Sequence, residues 1–179
     1  MTTQDVLAFW FEQTPPKKRW VSDPAFDDQI RDRFAGLLAQ AQQGELFGWR
    51  RQPEGRLAEV IVLDQFSRNI YRHTPRAFAQ DPMALALAQE AMAAAADKAL
   101  PQTERSFLLM PFMHSESRLI HAWAERLFRE NGPEDSYKFE LRHKAIIDRF
   151  GRYPHRNAIL GRESSAEEIE FLKRPGSNF

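Results

Sequence analysis

A short stretch near the end of the chain concentrates positive charge and hydrogen-bonding groups. It reads FGRYPHRNAILGRESSAEE and covers residues 150–168. Five of its side chains are candidates for contact with a ligand: Arg152, His155, Arg156, Asn157 and Arg162. Arginine forks bind carboxylates and phosphates through paired hydrogen bonds, and the N–H groups that open the following helix add affinity for anions. The stretch therefore predicts an anion-binding loop.

The same arginines also fit a purely structural role. The acids nearby, Asp148 and Glu163, are too few to neutralise all of them locally. The arginines would then cap the carbonyl ends of helices and pair with acids elsewhere in the fold, such as Asp64. Pro154 restricts Tyr153 to extended geometry, which is typical of a rigid turn. The spacing leaves both interpretations open.

A second group of polar residues lies within an unusually apolar segment, RLAEVIVLDQFSRNIYR (56–72). Wound as a helix, it carries apolar side chains almost all the way round, a pattern typical of a central, buried helix. Asp64 and Arg68 are four residues apart, in the order that favours an ion pair. Either this pair joins helices inside the protein, or Arg68 or Asn69 points into a cleft and binds a ligand.

A third group follows the apolar run FLLMPFM (107–113). Pro111 cannot donate to the carbonyl of Phe107, so we expect the helix to kink or end there. His114 and Glu116 then lie at a helix end, with Ser115 as the cap of the next helix.

Histidine titrates near neutral pH without a large pKa shift, which suits it to general acid or base catalysis. The candidates for that role are His114, His143 and His155. Glu116 or Asp64 would orient one of them. The sequence contains neither an HExxH pattern nor a glycine-rich phosphate loop, so no metal and no cofactor are expected. His121 is expected to be an ordinary residue at a helix interface.

Helix signals recur along the chain, whereas strand signals are nearly absent. Asp23 and Asp81 each precede a proline and are expected to be N-caps, and the helix behind Asp23 should stop at Gly44. Ser164 or Ser165, each with a glutamate three residues on, could open a capping box for the last helix. The other helices are expected at about 3–12, 55–72, 102–113, 116–130 and 137–150.

The pattern predicts an all-α protein of about seven to eight antiparallel-stacked helices in a single domain, residues 1–179. Either a bundle or a short α-solenoid would satisfy it, because short connections place consecutive helices side by side. No internal period near 34 residues is evident, so a solenoid cannot rest on sequence repeats.

Composition narrows the classes of partner. Lys+Arg and Asp+Glu each number 25, so the formal net charge is zero, and neither nucleic acid nor a membrane surface is an expected partner. The chain has no cysteine, which excludes disulfides and thiolate chemistry. The N-terminal stretch MTTQDVLAFWFEQ lacks the basic start of a signal peptide. A cytoplasmic location is expected.

Three stretches resemble the signature blocks of the DUF924 family, a bacterial family of unknown function. They read LDQFSRNIYR, PFMHSE and FGRYPHRNAILGRESSAEEIEFL, and the resemblance begins at VLAFWF (6–11) and covers nearly the whole chain. It implies an all-helical, tetratricopeptide-like right-handed superhelix without an assigned activity. The segment SESRLIHAWAERLFRENGPEDSYKFE matches only loosely. The polar positions that the resemblance implies for the family pattern are Asp64, Gln65, Arg68, Asn69, His114, Ser115, Glu116, His143, Arg152, His155, Arg156, Asn157 and Arg162.

Two functions of different kinds follow from these residues. The first is a binding module whose groove holds a peptide or an anionic ligand; its clamp would be Arg68, Asn69, Arg152, Arg156 and Arg162. In that case VLAFWF would dock against the groove or mediate a homodimer. The alternative is an enzyme that acts on a small phosphorylated or carboxylate substrate with a histidine as general acid or base. A third interpretation is an internal polar network in which Asp64 pairs with an arginine of the last loop.

Overall fold

The computed structural model describes residues 1–177, in which the secondary structure is helical without a β-strand. The α-helices are α1 (Thr3–Leu7), α2 (Pro24–Gln42), α3 (Pro53–Ile61), α4 (Ser67–Ile70), α5 (Asp81–Ala93), α6 (Gln102–His114), α7 (Arg118–Asn131), α8 (Glu134–Phe150) and α9 (Ala166–Leu172). The predicted all-α class is confirmed, while the single-domain assignment stays a prediction. Within residues 1–177, every helix is too short or too polar to span a lipid bilayer.

One helix runs through the centre of the protein. α3, a π-helical segment (Val62–Phe66) and α4 follow one another without a break. Helices α1, α2, α5 and α6 pack around them. The apolar side chains that the sequence placed round this helix are buried: Leu57, Val60, Ile61, Val62, Leu63, Phe66 and Ile70. The predicted central helix is therefore confirmed, and its burial requires that Asp64 and Arg68 find partners inside the protein.

The N-terminal apolar segment belongs to the core. α1 continues into a second π-helical segment, Ala8–Gln13. Phe9 and Trp10 are fully buried there, with Phe9 4.9 Å from Phe34 and Trp10 5.6 Å from Phe66 between ring centroids. These rings bury a large apolar area against the central helix. The expectation that this stretch docks against a groove or mediates a homodimer is wrong, because its side chains are already packed internally.

Some local predictions at helix ends need correction. α6 does not end at Pro111 but runs through it to His114, because burial of the surrounding side chains outweighs the one hydrogen bond that proline removes. The alternative that the helix kinks at Pro111 stays a prediction. Ser117, not Ser115, caps α7. Asp81 is the first residue of α5 rather than its N-cap, because its carboxylate pairs with arginines instead. By contrast, Asp23 caps α2 and Ser165 forms a capping box with Glu168 as expected.

Replacing Gly55 with alanine is expected to lower the free energy of unfolding by about 1–3 kcal/mol. A Cβ atom at Gly55 would lie 2.0 Å from the backbone oxygen of Trp49. Relieving this clash requires a shift of the backbone, which costs more free energy than a side-chain rotation. Gly36 is the matched control, since a Cβ atom there meets nothing within 4 Å. In the middle of α2, alanine at that position should add about 0.5–1 kcal/mol. Urea denaturation of both variants tests this, and equal effects would contradict it.

Candidate functional site

A pocket of about 380 Å³ opens to solvent between the start of α5, the end of α6 and the loop that follows α8. Most of its wall is apolar and includes Phe78, Leu85, Pro111 and Leu160. The polar side chains that line it are Asp81, His114, Ser115, Glu116 and Arg156. We call it the Arg156 pocket. Residues from two of the three polar groups of the sequence, the one at the end of α6 and the one in the last loop, therefore meet the start of α5 around one cavity. Its size is one that small molecules occupy.

Asp64 lies beneath this pocket, in the π-helical segment of the central helix. Its side chain is 1% exposed. One carboxylate oxygen, Oδ1, accepts from Arg68 Nη1 at 3.1 Å and lies 2.8 Å from Nδ1 of His114, while Oδ2 accepts from Gln65 Nε2 at 2.6 Å. Burial alone would raise the pKa of Asp64, but Arg68 and these hydrogen bonds outweigh it and lower the pKa. Asp64 is therefore an ionised carboxylate, in a type of helical segment that is frequent at functional sites.

His114 connects Asp64 to the pocket. Burial and the charge of Arg68 lower its pKa, although Asp64 opposes the shift, so the ring is neutral near pH 7. An ionised carboxylate can only accept hydrogen bonds. Nδ1 of His114 therefore carries the proton and donates a hydrogen bond to Asp64. Nε2 then holds the lone pair. No hydrogen bond joins Nε2 to another of residues 1–177, and the ring forms part of the pocket wall.

Asp81 joins two arginines from distant parts of the chain. Arg68 makes a bidentate pair with it, with Nη1–Oδ1 and Nη2–Oδ2 distances of 2.8 and 2.9 Å. Arg156 makes one longer contact, from Nη1 to Oδ2 at 3.3 Å. Because Arg68 already occupies both carboxylate oxygens of Asp81, the charge of Arg156 is only partly compensated.

Arg156 is buried although it carries a charge. Its guanidinium lies 4.6 Å from the ring centre of Phe78 and 4.5 Å from that of Tyr153, so two aromatic rings contact it. Burial and the charge of Arg68 lower its pKa, but arginine stays protonated in proteins. Nε has no hydrogen-bond partner in the described part of the chain. A buried donor without a partner is unusual, and here it belongs to a side chain that lines a pocket.

Glu116 also lines the pocket, and both of its carboxylate oxygens accept hydrogen bonds. Arg162 donates to its two oxygens at 2.5 and 2.9 Å, and the Tyr153 N–H donates to Oε1 at 2.7 Å. Burial alone would raise the pKa of Glu116, but these hydrogen bonds outweigh the effect of burial and lower the pKa. Glu116 therefore fixes the last loop against the end of α6, and it does not orient a histidine.

His121 and Glu140 form a buried pair behind the pocket. Nδ1 of His121 lies 2.7 Å from Oε1 of Glu140, and neither side chain has exposed surface. Nε2 of His121 donates to the carbonyl of Ser115 at 2.8 Å and contacts the hydroxyl of Tyr153 at 3.1 Å. That hydroxyl donates to the carbonyl of Met113 at 2.6 Å. His121 thus holds the backbone after His114 and Tyr153 holds the backbone before it, so His121 is more than an ordinary interface residue.

Two predicted site residues lie away from the pocket. Asn69 donates to Asp27 at 2.8 Å, on a different face of the central helix from Asp64. Arg152 makes a bidentate pair with Glu168, at 2.7 Å for both contacts, and so fastens α9 to the loop. Both side chains have structural partners, and neither lines the Arg156 pocket.

The remaining three candidates support the loop. Nδ1 of His143 donates to the carbonyl of Phe139, and its ring contacts that of Tyr153 in the loop at 5.8 Å between centroids. Burial lowers the pKa of His143 to about 3. Burial and Arg156 lower the pKa of His155 to about 4, and its ring packs on Tyr153. Asn157 accepts from Arg162 and donates to Ser164. Only His114 of the three proposed acid–base histidines lines the Arg156 pocket.

The structure also corrects the pairing expected for Asp64. Its partners are Arg68 of its own helix and His114, not an arginine of the last loop. The loop arginines instead pair with three other acids, as Arg152–Glu168, Arg156–Asp81 and Arg162–Glu116. The i,i+4 ion pair was correct because a helix fixes that distance, whereas the other pairs depend on how helices pack.

Sequence reasoning missed Asp81, Phe78 and Tyr153 as site residues. Asp81 followed by proline is equally typical of an N-cap, and Tyr153 before Pro154 is equally typical of a turn. One signal did exist: the last loop has more arginines than nearby acids, which requires carboxylates from elsewhere. Within residues 1–177, no group of histidines and acids is arranged to hold a metal ion.

Comparison with known proteins places the chain in a family. The sequence model of the bacterial proteins of unknown function DUF924 matches residues 6–176. A solved structure, that of the protein of unknown function ATU0120 from Agrobacterium tumefaciens, is 37% identical, with a TM-score of 0.91 over 96% of each chain. No curated protein matches the chain. The chain therefore belongs to the DUF924 family.

Proposed function

We propose that the protein is a binding module whose ligand is a small organic anion, held in the Arg156 pocket by its carboxylate. The observation that carries the proposal is Arg156 itself, a buried arginine that lines a pocket and whose guanidinium makes one contact with a carboxylate, at 3.3 Å. A carboxylate is the natural partner for a guanidinium fork. The two aromatic rings hold the fork in place before a ligand arrives, which lowers the entropy lost on binding.

The other charged groups of the pocket support an anionic ligand rather than a cationic one. Asp81 is bound by Arg68 and Glu116 by Arg162, each through both carboxylate oxygens. Neither carboxylate is left to bind a ligand cation. Arg156 has one long contact and therefore keeps hydrogen-bonding capacity for an acceptor.

The apolar wall supports a ligand with a short aliphatic part. Phe78, Leu85 and Leu160 face the same cavity as Arg156, and burying apolar surface there adds affinity of about 25 cal/mol per Å². A volume of about 380 Å³ suits a small acid. The C-terminus of a peptide presents the same carboxylate, and the experiment below separates the two.

We also propose that the helices stack in pairs as in tetratricopeptide-like proteins, as a right-handed superhelix. Contacts between consecutive helices support this, since α6 packs on α7 and α7 on α8. The connections between them are short, from His114 to Arg118 and from Asn131 to Glu134. The cytoplasmic location expected from the sequence stays a prediction.

Thermal unfolding with butyrate should raise the melting temperature, because a ligand at about a hundred times its Kd adds about 2.7 kcal/mol. For a chain of this size that corresponds to about 5–10 °C. Butanol and butyramide, which lack the carboxylate, should give little or no shift. An Arg156→Lys variant should lose the shift because lysine cannot form the bidentate contact.

Arg152→Lys is the matched control, since it lies in the same loop but outside the pocket and should keep the butyrate shift. A short apolar peptide tested with a free and with an amidated C-terminus separates the two ligand classes. If the peptide with a free C-terminus raises the melting temperature and butyrate does not, the ligand is a peptide C-terminus rather than a small acid. Equal shifts for butyrate and butanol, or an unchanged Arg156→Lys variant, would refute an anion site at Arg156.

A further inference from the structure

His114 is arranged as a base that faces the Arg156 pocket. Its Nδ1–H points at a buried, ionised carboxylate, Asp64, at 2.8 Å. That hydrogen bond fixes both the ring orientation and the tautomer, with the lone pair on Nε2. The ring lines the pocket, and Nε2 makes no hydrogen bond within the described residues. A binding pocket does not require this arrangement, whereas general base catalysis does.

The same cavity contains a fixed positive charge. Arg156 lines the wall together with His114, and Phe78 and Tyr153 hold its guanidinium by contact with their rings. A preorganised cation can stabilise negative charge that develops on a carbonyl oxygen in a transition state. A base and an oxyanion-stabilising group in one cavity are the two groups needed for acyl transfer to water.

We infer that the Arg156 pocket hydrolyses carboxylic esters with a short aliphatic acyl group, with His114 as the general base. The inference rests on the proposed function, because the carbonyl oxygen of the ester would occupy the place of the bound carboxylate at Arg156. The product acid is then the carboxylate ligand proposed for this pocket. The apolar wall suits an aliphatic acyl group, and the volume of about 380 Å³ accommodates a short one.

The reaction balances with water as the second reactant. Nε2 of His114 takes a proton from water as the water oxygen bonds to the carbonyl carbon, and Arg156 stabilises the resulting oxyanion. The oxyanion collapses, the acyl C–O bond breaks, and the protonated His114 returns its proton to the leaving alkoxide. Ser115 also lines the pocket but makes no hydrogen bond to His114, so water rather than serine is the nucleophile. Asp64 acts through His114 and is a positioning residue.

Hydrolysis of 4-nitrophenyl butyrate tests the inference directly. The wild-type protein should hydrolyse it, and His114→Gln should lower kcat/KM by about 10²–10⁴-fold, as expected when a general base is lost. His73→Asn is the matched control for non-specific imidazole catalysis, because His73 is exposed and lies outside the pocket. Asparagine tolerates the positive φ of 63° at that position. This variant should match wild type.

The pH profile of the wild-type protein gives a readout that does not depend on whether a variant folds. Burial and the charge of Arg68 lower the pKa of His114, and the opposing charges of Asp64 and Asp81 offset this shift only in part. The rate should therefore rise with pH along a limb centred below 6.5 and stay level above it, because only the neutral ring accepts a proton. Asp64→Asn removes a group that raises this pKa, so its limb should move to lower pH and its plateau should fall.

The possible outcomes distinguish failure of the catalytic inference from failure of the proposed function. Butyrate binding without ester hydrolysis above the buffer rate would overturn the catalytic inference and leave the anion pocket intact. Hydrolysis that persists in His114→Gln, or that disappears in His73→Asn, would overturn the role of His114. Absence of both butyrate binding and hydrolysis would refute the proposed function as well.

Discussion

Replacing Asp64 with alanine is expected to lower the free energy of unfolding by about 3 kcal/mol, at the lower end of the range for a broken buried ion pair. The substitution removes the acceptor for Arg68, Gln65 and His114 at once. Arg68 retains its bidentate pair with Asp81, so its charge does not become wholly unpartnered. Guanidinium or urea denaturation at neutral pH measures the loss.

Two controls separate this effect from a general sensitivity to lost carboxylates. Asp64→Asn keeps the shape and one acceptor and should lose less stability than alanine. Glu134→Ala removes an exposed partner of Lys138, and such surface pairs contribute about 0–1 kcal/mol. If Asp64→Ala unfolded like Glu134→Ala, the Asp64 network would not contribute to stability.

The depressed pKa of Asp64 also predicts the pH dependence of this loss. A carboxyl group whose pKa is lower in the folded state stabilises the protein above its unfolded pKa of about 3.9. That contribution disappears as the pH falls toward the folded pKa. Asp64→Asn cannot titrate there, so the difference in stability between wild type and this variant should shrink below about pH 4.

Replacing His121 with alanine is expected to cost about 3–5 kcal/mol, because it leaves Glu140 buried without its partner. Oε2 of Glu140 already has no hydrogen-bond partner in the described chain. The substitution also removes the donor to the carbonyl of Ser115. Chemical denaturation should show the loss, and binding of butyrate should weaken because Ser115 borders His114 in the pocket wall.

The state of Glu140 sets the pH dependence of that variant. Burial raises the pKa of Glu140, and the hydrogen bond from His121 opposes the rise. Without His121 the pKa of Glu140 should rise further. A carboxyl group whose pKa is raised in the folded state favours folding at low pH, and this stabilisation is lost as the pH rises. His121→Ala should therefore lose less stability at pH 5 than at pH 8. Glu140→Gln, which buries no charge, should cost less at neutral pH, and an equal cost would contradict the explanation.

Sequence alone determined the features of this protein that depend on neighbours along the chain. The apolar pattern of residues 56–72 predicted the central helix, and the i,i+4 spacing predicted the Asp64–Arg68 pair. The caps at Asp23 and Ser165 followed from residue type and position. Such contacts lie within about one helical turn, so the geometry of the α-helix fixes them before any packing occurs.

Tertiary structure alone decided which of the many polar residues share a cavity. His114 meets Asp64 across 50 positions of sequence, and Arg156 meets Asp81 across 75. No periodicity specifies such distances, because they depend on how α5, α6 and the last loop pack on the central helix. Packing also occupied Arg152, Arg162 and Asn69 with partners of their own. Arg156 and His114 line the pocket beside Asp81 and Glu116, whose carboxylates already pair with arginines.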